Sequence, residues 1–219
     1  VMPGGGPYDI GILVGDDAYD DANDPQMVNS AVTAIRAEID GNGNYVTEFR
    51  QSQYPVDSQR SVAASNFTEG KNVLFVPASA SGRYWLGSMF DKTGFSPWNI
   101  WMLPTGSYPI MVATTCNSAS SERTQDPRYG QAVGTQLMSQ QYDRGPVIII
   151  GPTQGSDQHA DTEIARATAN QLMIGQGNVT VLQSFWSARQ EVLANPELSN
   201  DDRVIKTIMS TSFLGDPIS

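Results

Sequence analysis

The chain has 219 residues, 39% of them hydrophobic, with 13 Lys+Arg against 23 Asp+Glu and a formal net charge of −10. That length and apolar content suit one globular unit with a sizeable core and exclude a disordered polyelectrolyte. The charge repels phosphate and anionic lipid, so nucleic acid and membrane surfaces are excluded as default partners, and no apolar run approaches the ~20 residues of a membrane span.

In chain order, residues 9–14 read as a short apolar strand ending at Gly15. Residues 25–39 place Val28, Ala31, Val32, Ile35 and Ile39 at helical spacing. Asp40-Gly41-Asn42-Gly43-Asn44 stops that helix and residues 45–49 form a second strand, a unit that favours a parallel pair. Further strands are expected at 72–76, 109–114 and 146–150, with helices at 129–141, about 161–173 and 181–193. Near-continuous apolar strands separated by helices predict a doubly wound α/β fold, with a mainly parallel sheet covered by helices on both faces. No repeat or linker divides it, so residues 1–219 read as one domain. The opening Val1 and the absence of an apolar leader before Pro3-Gly4-Gly5-Gly6-Pro7 read as a piece of a longer precursor. Scarce lysine and abundant Asn, Gln, Ser and Thr suggest an extracellular or cell-surface setting.

In such a sheet, chemistry gathers beyond the carboxyl ends of the strands. Cys116, the only cysteine, follows its strand at that edge within Thr114-Thr115-Cys116-Asn117-Ser118, which favours a nucleophile over a buried structural thiol. The only histidine, His159, lies past the fifth strand near the start of a helix. It reads either as an ordinary exposed residue or as a base for Cys116, and a helix N-terminus opposes the imidazolium that the second role needs. The loop Gly15-Asp16-Asp17-Ala18-Tyr19-Asp20-Asp21-Ala22-Asn23-Asp24 carries five carboxylates with three readings: helix capping and solvation, calcium held by Asp17, Asp20 and Asp21, or a cationic substrate met by Asp16 and Asp17. Aromatic residues from Tyr84 and Trp85 to Tyr108 lie between the third and fourth strands and suit either core packing or recognition of peptide or glycan, with Trp85 a candidate substrate-binding residue.

Tyr108-Pro109-Ile110-Met111-Val112-Ala113-Thr114-Thr115-Cys116-Asn117, then Gly145-Pro146-Val147-Ile148-Ile149-Ile150-Gly151-Pro152-Thr153, and finally Phe213-Leu214-Gly215-Asp216-Pro217 together resemble, in order and spacing, the catalytic domain of the gingipain family of cysteine endopeptidases. The resemblance implies a caspase-like fold, Cys116 as nucleophile, backbone N–H groups near Ser79 and Cys116 as the oxyanion site, and a protein or peptide partner that includes the rest of the precursor. It also departs from the family, whose Gly-His-Gly turn is here Pro77-Ala78-Ser79. An alkyl side chain neither withdraws the thiol proton nor protonates a leaving amine. The resemblance therefore implies a pseudoenzyme with a binding or structural role, the alternative being an endopeptidase that uses Cys116 with a non-standard base such as His159.

Overall fold

The computed structural model describes residues 8–16, 24–40, 43–54, 71–78, 109–114, 118–119, 147–175 and 179–215. Six strands form one sheet: β1 (Asp9–Val14), β2 (Tyr45–Arg50), β3 (Val73–Val76), β4 (Ile110–Ala113), β5 (Ile148–Pro152) and β6 (Thr211–Gly215). The helices are α1 (Asp24–Ile39), α2 (Gln158–Gly175), α3 (Val181–Ala194), the single turn α4 (Pro196–Ser199) and α5 (Asp202–Ser210). The helix expected at 129–141 lies outside the described residues.

The spatial order is β2-β1-β3-β4-β5-β6, parallel throughout except for the antiparallel β5–β6 pair. The expected mainly parallel α/β sheet is therefore present. Ile10, Ile12, Val14, Val73, Phe75, Ile110, Val112, Ile148 and Ile150 share a core with α1, α2 and α3. Their neighbours Leu13, Leu74, Met111 and Ile149, on the opposite face by strand alternation, are equally buried, so both faces of the sheet are covered. The periodicity in α1 is that of its packing: Val28, Ala31, Val32, Ile35 and Ile39 are all buried.

Local chemistry fixes the first unit. After α1 the chain turns through Gly43 at φ 71, a left-handed conformation that glycine adopts without strain. Asn44 joins three pieces there: its Nδ2 donates to Ile39 O at 3.2 Å, and its Oδ1 accepts from Tyr8 N at 2.9 Å.

Four elements differ from the sequence reading. Helix α2 begins three residues before the expected start because Asp157 Oδ1 accepts from both His159 N and Ala160 N at 3.1 Å, which caps the first turn. Helices α4 and α5 and strand β6 were not anticipated. In the described structure Asn195 and Asp201 cap the two helices through Glu197 N and Arg203 N.

Candidate functional site

The strand order reverses between β1 and β3, the switch point where open α/β sheets bind ligands beyond the carboxyl ends of their strands. Gly15 and Ala78 face each other across this point in a parallel bridge, with Gly15 N donating to Pro77 O at 2.9 Å. Ala78 is 1% exposed. The position at which the resemblance requires a histidine thus lies at the carboxyl end of β3, buried beside the end of β1.

Asp16, next along from Gly15, has both carboxylate oxygens in use. Oδ1 accepts from Ser52 N at 2.9 Å, and Oδ2 accepts from Ser52 Oγ at 2.8 Å and from Arg50 Nη1 at 3.4 Å. Arg50 and Arg36 both also engage Glu48. A chain of charges thereby ties α1 and β2 to the mouth of β1. Asp16 clamps this corner from within. Asp17, Asp20, Asp21, Ser79 and Trp85 lie outside the described residues.

Cys116 also lies outside them, but both flanks of its turn are placed. Strand β4 pairs with β3 through Val76 and Ala113, and Thr114 N donates to Val76 O at 3.3 Å. On the other side Ala119 N donates to Pro152 O at 3.0 Å, docking the turn on the end of β5. Here glycine is required by space: a Cβ on Gly151 would stand 2.1 Å from Ser118 Oγ and 3.2 Å from Ala113 O. The carboxyl ends of β3, β4 and β5 are thus adjacent, with Ala78 at the first and the two flanks of the turn at the second and third.

Beyond β5, Thr153 donates to Ser210 O through both N (3.0 Å) and Oγ1 (2.8 Å), and Asp157 N donates to Thr207 Oγ1 at 2.7 Å. Helix α5 thereby holds the loop that leads into α2. His159 sits in the first turn of α2 with its side chain exposed. Two residues on, Asp161 is 3% exposed, and the Ser156 hydroxyl donates to its Oδ2 at 2.5 Å. Burial, reinforced by the neighbouring Asp157 charge, pushes its carboxyl up to about 7. Asp161 Oδ1, Gln158 Nε2, Thr114 Oγ1 and Ser118 Oγ are all buried without a partner among the described residues. This polar lining at the carboxyl edge was missed in the sequence. Its signal was Ser156-Asp157, a capping pair ahead of an Ala- and Ile-rich helical face that carries Asp161 inward.

The profile of peptidase family C25 matches residues 11–218. The chain belongs to peptidase family C25. Among solved structures, the Arg-specific cysteine proteinase gingipain R superposes with a TM-score of 0.61 at 14% identity, over 95% of this chain and 46% of that one. A complex of the pro- and mature domains of RgpB from Porphyromonas gingivalis matches equally, with a TM-score of 0.61 at 14% identity over 95% of this chain and 47% of that one. The chain therefore spans about half the length of the solved chains it matches. At this identity they show a shared gingipain fold, in agreement with the six-stranded, mostly parallel sheet. Comparison with curated proteins gives no match.

Proposed function

We propose that this C25 domain is a gingipain-type peptidase fold that has lost the catalytic histidine and acts by binding, as a module of a longer secreted or surface protein. The observation that carries the reading is Ala78. It occupies the end of β3, one strand from the Cys116 turn, with a buried methyl group at the position that the family resemblance gives to the base. A thiol without a base remains mostly protonated at neutral pH and has no acid to protonate the leaving amine. On this reading the edge of the sheet at the β1–β3 switch point, where open α/β sheets hold ligands, binds a peptide segment without cleaving it. The precursor's own remaining segments are the partner this reading favours, in keeping with the pro- and mature-domain complex formed by RgpB.

The second reading, an active endopeptidase, draws on His159, which is exposed at the same edge of the sheet. One experiment separates the two. The parent, Cys116→Ala and His159→Ala are assayed on peptides ending in Lys or Arg, alongside intact-mass detection of labelling by a peptide electrophile. Slow labelling confined to Cys116 with no cleavage supports the binding module. Robust Cys116-dependent cleavage overturns it, and loss of that cleavage in His159→Ala would make His159 the base.

A further inference from the structure

Most described cations are neutralised at close range. Arg36, Arg50, Lys71, Arg166 and Arg203 each lie within salt-bridge distance of a carboxylate. Arg189 and Lys206, in a chain with 23 acidic residues, have no carboxylate partner among the described residues.

These two cations flank one patch. The Arg189 guanidinium carbon lies 4.8 Å from the centroid of the Trp186 ring and 5.7 Å from that of Phe185, and Nη2 reaches Met209 Sδ at 3.6 Å. Lys206 stands one turn before Met209 on α5, a spacing that puts both on the same side of the helix. Trp186 is 47% and Met209 64% exposed, which makes a bare aromatic ring and a flexible thioether the apolar floor between two cations. Partial burial lowers the Arg189 pKa. Its cation is thus partly stripped of water, with aromatic faces but no anion in compensation.

We propose that Trp186, Arg189, Lys206 and Met209 form a docking site for an acidic peptide segment of a protein partner, which sets an apolar side chain on Trp186 and Met209 and its carboxylates on Arg189 and Lys206. Charge complementarity selects this occupant. The guanidinium is already oriented by the rings beneath it, so little freedom is lost when a carboxylate arrives. Among the described residues the other cations are already paired with carboxylates, so this patch is where an acidic peptide meets unneutralised positive charge.

The probe is an acetylated Glu-Glu-Phe-Glu-Glu peptide titrated into the full chain, read by the indole N–H resonance of Trp186 as assigned with Trp186→Phe. The expected result is a saturable shift that weakens with salt, is absent with the Gln-Gln-Phe-Gln-Gln counterpart, and loses roughly five- to thirtyfold in affinity in Arg189→Gln/Lys206→Gln. Trp186 and Lys206 are exposed and Arg189 is only partly buried, and matched melting curves check that the variants fold. The proposal is overturned if the Glu peptide gives no shift, if the Gln peptide shifts the resonance equally, or if the double variant binds unchanged. It is also overturned if only vesicles of phosphatidylcholine and phosphatidylserine move the resonance, or if the protein alone does so on concentration and the peptide does not compete.

Discussion

Asp161 is the residue at which pH meets stability. Its carboxyl is desolvated in the first turn of α2 and titrates near 7 in the folded chain against an ordinary value of 3.8. An acid that binds its proton more tightly when folded stabilises the fold fully below about pH 4, loses that contribution as pH rises, and has lost it above about pH 7. Asp161→Asn keeps the shape and cannot ionise. Urea unfolding at about pH 5 and about pH 8 should show the parent losing on the order of 2–4 kcal/mol relative to the variant across that interval. A constant difference would mean that Asp161 is ionised throughout. Gly151 and Ser118 form a second residue-scale test. Gly151→Ala drives a methyl into Ser118 Oγ, with an expected cost of about 1–3 kcal/mol. Ser118→Ala removes a buried hydroxyl that has no partner among the described residues, so it should be neutral or stabilising. Together they should recover most of the Gly151→Ala loss in a double-mutant cycle, and strict additivity would show that the clash lies elsewhere.

At the scale of elements, Arg166 binds three helices. From α2 it reaches Glu38 of α1 at 2.8 Å, Glu163 of its own helix at 2.9 Å and Glu191 of α3 at 2.9 Å, and these partners hold its pKa above the usual arginine range despite partial burial. Removing it leaves three carboxylates facing one another, so Arg166→Ala should cost more than an exposed pair, about 1–3 kcal/mol, and lose part of that penalty in high salt. Thermal melts at two ionic strengths would show it. Helix α3 has a local anchor as well: Thr180 Oγ1 accepts from Gln183 N while the Gln183 side chain accepts from Thr180 N. These facts also show why some elements were legible in the sequence and others were not. The inner strands and α1 are fully or half buried along continuous stripes, so hydrophobic period alone reveals them. Helix α5 buries only Val204, Thr207 and Ile208, all three β-branched and one of them polar, and β6 is a mixed edge strand whose pairing with β5 is long-range. The site divided in the same way. Cys116 and the Asp16 loop stood out by residue type and by following strands, whereas the burial of Asp161 depends on α2 packing and on α5 tethering Asp157, which no local pattern reports.

For the whole molecule, the carboxyl edge of the sheet belongs to no single element. It is assembled by Gly15 and Asp16 after β1, Ala78 after β3, Ser118 and Ala119 after β4 and the loop after β5 that α5 holds in place. On the proposed reading, a missing base should therefore resist repair at one position. In Ala78→His an imidazole must enter a place where the native side chain is 1% exposed, so the variant should lose about 1–3 kcal/mol of stability before any question of activity. Pro77, with fixed φ, no N–H and its carbonyl already accepting from Gly15 N, dictates the path into that position, and Ser79 lacks the freedom of a glycine. A ring misplaced by about 1 Å forfeits roughly a hundredfold in rate. The expected series is no cleavage of Lys- or Arg-ending peptides by the parent or by Ala78→His, and weak Cys116-dependent cleavage at best when Pro77→Gly and Ser79→Gly are added. Each protein is assayed beside its Cys116→Ala control and its melting curve. If Ala78→His alone gave efficient cleavage abolished by Cys116→Ala, the edge would be intact apart from one side chain, and the domain would be a peptidase one substitution from activity.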